Sequence, residues 1–283
     1  MILSKILKDI KLVVFDLDGT LLNDHGKIGE ETKAVVKELK KIGVKFSFAS
    51  GRLHSAITRF ADELDIRLPV ISLDGALIKN AKDSTILYES FLRKTHVKKA
   101  LQLSERYLVN TALCHPDAIY FTEQNSIIPQ ITDKFGALYK EVDSYNNYMN
   151  NTLEVFFAGD NRKIVMFLRD KMSFPFTFGV SSSFYRSHSN ENIYYLELRK
   201  AGSTKGNALR RLLKYLHISE SETAVMGDWY NDIPMFQTKT FRVAVSNAIA
   251  ELKRNADYVT KKSNNEDAAG EFLSLVLKYK KGN

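Results

Sequence analysis

Residues 12–15, Leu-Val-Val-Phe, form an apolar run without alternation that stops at two carboxylates, Asp16 and Asp18. A strand that is apolar at every position must be covered on both faces, and such strands belong to parallel sheets flanked by helices. The pattern returns as "VKFSFA" (44–49), "VISL" (70–73), "TAVM" (223–226), "FRVAV" and the short "DYVT". Amphipathic stretches lie between them. Residues 30–42 place Val35, Val36, Leu39 and Ile42 on one face and stop at Gly43. "LHSAITRFADEL", "KGNALRRLLKYLHI" with Leu209, Leu212, Leu213 and Leu216, and "AAGEFLSLVLKY" also read as helices. This strand–helix rhythm predicts an α/β fold: a doubly wound, Rossmann-like parallel core.

The middle of the chain breaks the rhythm. It carries aromatic and β-branched runs ("ILYESF", "AIYFT", "TLEVFF", "FPFTFGV", "IYYLEL") with helical stretches at 96–108 and 161–171. We expect a core of residues 1–82 and 199–283, and an inserted α+β domain over 83–198 with substantial antiparallel pairing. A chain of 283 residues is long enough for two domains.

In open parallel sheets, ligands bind beyond the carboxyl ends of the strands. Asp16, Asp18, Gly19 and Thr20 follow the first run there, and Ser50, Gly51 and Arg52 the second. Asp74 and Gly75 follow the third. "GDWYND" follows "TAVM", supplying Gly227, Asp228, Asn231 and Asp232, and Lys205 opens a helix. A buried, unpaired carboxylate is costly, so Asp16 needs a compensating charge. A divalent cation with hard oxygen ligands, held by Asp16 and Asp228, supplies it. Ser50, the amides near Gly19 and Gly51, and Lys205 are suited to gripping phosphate.

Taken together, "FDLDGT", Ser50 in "ASGR", Lys205 in "STKGNAL" and "GDWYND" resemble the four motifs of the haloacid dehalogenase-like superfamily. The insertion between the third strand and the lysine resembles the cap of its Cof-type phosphatases, as does the stretch 243–268. The resemblance implies a magnesium-dependent phosphatase for a small phosphorylated metabolite such as a sugar phosphate. Asp16 would be the nucleophile and Asp18 the general acid and base. Magnesium would be held by Asp16, the Asp18 carbonyl and Asp228. Ser50, Gly51, Arg52, Lys205 and Asn231 would bind phosphate or substrate, and Asp232 would orient Lys205 or a metal-bound water. Asp18 separates such a hydrolase or mutase from dehalogenases, which lack this aspartate. A phosphomutase and a non-catalytic phospho-ligand binder remain the alternatives.

Two features depart from the pattern. Asp74 stands where an asparagine is usual, and it could repel phosphate or contact a group of the cap. Trp229 and Tyr230 are bulky, and are expected to pack against the sheet or cap. Within the insertion, His115, Tyr120, Arg186, His188 and Asn190 are candidate substrate contacts.

The remaining composition narrows the partners. The net charge is +8, but its lysines are scattered and form no dense basic run, so no nucleic-acid partner is expected. A single cysteine, Cys114, forbids an internal disulfide and fits a reducing compartment. It reads as a small buried residue, since its neighbour His115 points to the opposite strand face. "MILSKILKDI" is interrupted by Lys5, Lys8 and Asp9 and lacks a cleavage site, and no stretch suits a membrane span. A cytoplasmic protein with no membrane partner, monomeric or weakly homo-oligomeric, is expected.

Overall fold

The computed structural model describes residues 2–122, 136–187 and 192–282. They divide into two compact units, one of residues 1–51, 57–87 and 204–283, the other of 52–56 and 88–203. The chain thus passes between units a few residues beyond each expected crossing.

The first unit is built on a five-stranded parallel sheet. Its order is Tyr258–Val259, Phe241–Ala244, Thr223–Gly227, Leu12–Phe15 and Lys45–Phe48. Leu12–Phe15 lies inside this sheet and is wholly buried, as its unbroken apolar run requires. Phe15 sits in register with both Met226 and Phe48. The residues that follow, Asp16, Gly227 with Asp228, and Ala49 with Ser50, therefore leave the sheet at one rim.

Helix Glu30–Lys41 buries Thr32, Val36 and Leu39 and packs against helix Ala268–Lys281, which buries Phe272, Leu273 and Val276. Ile42, expected on the inner face, caps that helix and is exposed, because Gly43 turns the chain away at φ +86°. A short helix, Ile2–Asp9, precedes the first strand. Among the described residues, no helix is long and apolar enough to cross a membrane.

The third apolar run behaves differently. Among the described residues, Pro69–Ser72 makes no ladder with the parallel sheet; it meets that sheet through an isolated bridge from Ala49 to Ile71 and the Ser47 hydroxyl, which donates to the Pro69 carbonyl at 2.7 Å. It then turns back on itself and pairs antiparallel with Leu77–Asn80, in a three-stranded sheet with Ile86–Glu89. The turn is sharp because Leu73, Asp74 and Gly75 all take positive φ, +48°, +48° and +100°. Such angles are costly for the two side-chain-bearing residues.

The second unit has a six-stranded sheet in the order Val180–Arg186, Tyr194–Lys200, Glu154–Gly159, Asn110–Cys114, Ile119–Phe121 and Tyr139–Glu141. All neighbours are antiparallel except the last pair. Helices Lys94–Tyr107 and Arg162–Lys171 cover one face, closing a core of Val97, Ala100, Leu113, Val155, Phe157, Val165, Leu168, Leu196 and Leu198. Strand alternation sends Glu154, Glu197 and Arg199 to the other face. There the Arg199 guanidinium holds Glu154 at 2.6 Å and Glu197 at 2.8 Å.

The run "FPFTFGV" is not a strand. Only Val180 of it joins the sheet; residues 174–179 form turns, with Pro175 unable to donate to a ladder.

Candidate active site

The rim of the parallel sheet gathers the sequence's carboxylates. Asp16 follows directly from Phe15, its N–H donating to the Met226 carbonyl at 3.0 Å. Lys205 opens the helix Lys205–Leu216, whose N-cap Thr204 accepts from the Asn207 amide. Its side chain is fully buried, and its ammonium donates to Asp16 Oδ1 at 2.6 Å and Asp232 Oδ1 at 2.7 Å. The second Asp232 oxygen accepts the backbone N–H groups of Asp228 and Trp229, at 2.9 and 3.1 Å. Thr20 donates its hydroxyl to Asp228 Oδ1 at 3.0 Å. Asp16, Asp228 and Asp232 each bring a carboxylate oxygen within 4.8 Å of the others.

Two glycines permit this convergence. A Cβ on Gly19 would lie 2.4 Å from Asp228 Oδ2, and Gly19 also takes φ +81°. A Cβ on Gly227 would lie 2.6 Å from Asp232 Oδ2. Any side chain at either position must displace a carboxylate.

The electrostatics follow from three buried carboxylates sharing one lysine. Burial pushes Asp16 well above the usual carboxylate range; Lys205 opposes this, while the charges of Asp232 and Asp228 add to it. Burial likewise raises Asp228 to about 7, with Asp232 adding to the rise and the Thr20 bond opposing it. For Lys205, burial acts to lower the pKa, but Asp16, Asp232 and Asp74 outweigh it and keep the ammonium protonated. With all three acids ionised, the cluster carries two uncompensated negative charges. A compact set of hard oxygens in excess of its counter-charge fits a divalent cation such as Mg²⁺.

Asp16, Lys205, Asp228 and Asp232 are therefore in direct association. Asp18 is exposed and its carboxylate is not part of the trio; Asp232 is the third member. Ser50 is buried beyond Lys45–Phe48, its N–H donating to Ile71 O and its carbonyl accepting from Asp74 N, at 2.9 and 3.0 Å. Gly51 is half-buried beside it, while Arg52 belongs to the second unit. Asn231 donates its amide to Asp74 Oδ1 at 3.0 Å. Asp74 thus holds a residue of the same unit, and its charge acts on Lys205. Asn247 was not singled out from the sequence, yet it donates to the Gly19 carbonyl at 2.7 Å. Its place just past the strand Phe241–Ala244 is the signal that marks it.

Trp229 and Tyr230 lie at the surface just past the strand Thr223–Gly227. They are exposed at 46% and 59% and meet each other edge to face at 5.3 Å. In the second unit, the His115 ring nitrogen Nε2 lies 2.8 Å from the Tyr148 carbonyl, and Tyr120 donates to Asp117 at 2.7 Å. Arg186 is exposed; His188 and Asn190 lie outside the described residues. Cys114 is buried, and burial raises its thiol pKa well above the ordinary value, unlike a nucleophilic thiol.

The raised Asp228 pKa gives a checkable pH dependence. A carboxylate with a raised folded-state pKa binds its proton more tightly folded than unfolded. Its cost to stability grows as pH climbs from the ordinary 3.8 to about 7, and is fully present above that. A divalent cation held by these carboxylates would favour the ionised form and offset that cost. The increase in Tm on adding magnesium is therefore expected to be small at pH 6 and larger at pH 8. Calorimetry across that range checks it; a magnesium effect that is flat or shrinks with pH refutes it.

The sequence model of a family of haloacid dehalogenase-like hydrolases matches residues 13–273. Phosphatase YwpJ of Bacillus subtilis is 29% identical, covering 95% of this chain and all of that protein. The 5-amino-6-(5-phospho-D-ribitylamino)uracil phosphatase YitU of the same organism is 24% identical, covering 93% and 96%. The crystal structure of a haloacid dehalogenase-like hydrolase from Bacteroides thetaiotaomicron superposes with a TM-score of 0.83 at 24% identity, covering 94% of this chain and 99% of that one.

Proposed function

The chain belongs to the haloacid dehalogenase-like hydrolases, and from that premise we propose that it is a magnesium-dependent phosphatase of small phosphomonoesters working through an aspartyl-phosphate on Asp16. The observation that carries the reading is the buried Lys205 bridging Asp16 and Asp232 while Asp228 adds uncompensated charge. Carboxylates in excess of their counter-ion suit a site that gathers a cation and a phosphate dianion together.

Asp16 attacks phosphorus; the bond to the leaving oxygen breaks, and Asp18 supplies that oxygen with a proton. Asp18 then takes a proton from water as the water oxygen attacks the phosphoryl group. The bond to Asp16 breaks, releasing inorganic phosphate. The exposure of Asp18 fits a group that must reach a leaving group and then water. Lys205, Ser50 and the Gly51 amide hold the phosphoryl oxygens, with Arg52 and Asn231 as further contacts. Asp232 fixes the Lys205 ammonium while its other oxygen fastens the Asp228 turn. Asp16 and Asp228 would hold Mg²⁺ together with the Asp18 carbonyl, and the ion would neutralise charge on the phosphate. The second unit selects the leaving group. A sugar or related polyol is the proposed class, supported by the ribityl phosphate in the name of the relative YitU.

Para-nitrophenyl phosphate and a panel of sugar, nucleotide and cofactor phosphates test this, with magnesium present or chelated. Turnover that needs magnesium and ranks sugar phosphates first is the expected result. A stable phosphoprotein without turnover would point to a mutase; neither turnover nor phosphoprotein would leave only a binding role.

A further inference from the structure

The second unit carries a surface that the proposed reaction does not use. In "SFPFTFG", Phe174, Phe176 and Phe178 are exposed at 75%, 57% and 67%, whereas Thr177 between them is buried. Hydrophobic burial alone would favour the reverse. The arrangement is built. Lys99 reaches from helix Lys94–Tyr107 and donates to the Lys171 and Phe176 carbonyls and the Thr177 hydroxyl, at 3.0, 2.9 and 2.7 Å. The Thr177 hydroxyl in turn donates to the Lys171 carbonyl at 2.8 Å. The N–H groups of Phe176 and Thr177 both donate to Ser173 O at 2.9 Å. The polar anchors face inward and fix the turn, and the three rings face out.

The apolar surface continues beyond the turn. Phe174 and Phe178 meet edge to face at 5.3 Å. The Lys171 ammonium lies 4.2 Å from the Phe176 ring centre and 5.4 Å from that of the exposed Phe167. Phe167 in turn packs on Tyr107, beside Leu108, which is 92% exposed.

The charge around these rings is one-sided. Helices Lys94–Tyr107 and Arg162–Lys171, which cover the same sheet face, carry eight Lys or Arg residues against Glu105 and Asp170. That surplus of six compares with +8 for the whole chain. Asp170 is further engaged by Arg169 at 2.8 Å.

We propose that this face docks on an anionic lipid surface, the three phenylalanines entering the headgroup region while exposed cations of the two helices, Lys98 and Lys163 among them, meet the lipid charge. Rings on a projecting turn suit insertion into an interface. A peptide groove or a base-stacking platform would shelter them on more than one side. Anionic lipid adds attraction for each cation brought near the surface. The expectation of no membrane partner rested on the lack of a spanning segment, and interfacial docking needs none.

The test is cosedimentation of the whole protein with extruded vesicles. One set is phosphatidylcholine alone, the other contains about 30 mol% phosphatidylglycerol. Partition onto the anionic vesicles is expected to exceed that onto the neutral ones by roughly tenfold or more, and to fall as salt screens the charges. The triple variant Phe174→Ser, Phe176→Ser, Phe178→Ser is expected to lose roughly tenfold or more of the anionic partition at unchanged Tm. Lys98→Glu with Lys163→Glu, both exposed, is expected to flatten the salt dependence. Equal partition of the parent and triple variant overturns the proposal. So does an absence of vesicle binding, whether or not the phenylalanines then prove to mediate self-association or binding to oligo(dT).

Discussion

Asp16→Asn is expected to abolish turnover while leaving the protein at least as stable as the parent. An asparagine amide is a far weaker nucleophile toward phosphorus than a carboxylate, so a loss of at least about 10⁴ in kcat is expected. Stability moves the other way. Asp16 is buried among two other carboxylates, and desolvation makes its charge unfavourable. Asparagine keeps the size and an oxygen that can accept from Lys205. It leaves the ammonium to pair fully with Asp232, which it already holds at 2.7 Å. Three acids around one base become two, so the buried repulsion falls. An inactive protein with an equal or higher Tm than the parent is the signature of a site whose charge serves chemistry at the expense of the fold. Activity within a hundredfold of the parent would remove Asp16 as nucleophile. A large fall in Tm with the activity loss would instead make its role structural.

That signature explains what could be read before the structure. The strand Leu12–Phe15 and its carboxylates were legible because an unbroken apolar run admits one environment, and acids at its end break a local rule that only function sustains. Asp228, Asp232 and Lys205 were legible on the same ground, each lying just past a strand or at the start of a helix. Three features were not. The return of Pro69–Ser72 into an antiparallel hairpin depends on positive φ at Leu73 and Asp74, residues whose type does not announce it. The Asp74–Asn231 bond joins positions far apart in sequence, and residue type alone left Asp74 free to face phosphate or cap. "FPFTFGV" carries strand-forming residues, but the Lys99 anchor comes from a distant helix and holds the segment in a turn. Local pattern gave way to long-range contacts in all three.

Lys205→Met is expected to be the most destabilising single change at the rim. Methionine approximates the lysine stem and limits the cavity, so the variant isolates the charge. It leaves Asp16 and Asp232 buried, close together and without the ammonium that both now hold. Removing one partner of a buried ion pair costs roughly 3–5 kcal/mol, because the remaining charge is stranded. At roughly 2–4 °C per kcal/mol for a domain of this size, Tm is expected to fall by about 6–20 °C. Asp16 responds to pH in a way that tests the cause. Without Lys205 the Asp16 carboxylate loses the charge that opposes its burial, so its pKa rises further and its protonation relieves the repulsion as pH falls. The Tm deficit relative to the parent is therefore expected to be smaller at pH 5 than at pH 8. Adding Asp16→Asn to Lys205→Met removes one stranded charge and is expected to restore much of the lost stability, but no turnover. Thermal melts of the parent, both single variants and the double variant at the two pH values close the cycle. A Lys205→Met deficit that ignores both pH and the second substitution would assign the loss to packing, and would dissolve the account of the rim as acids in need of cations.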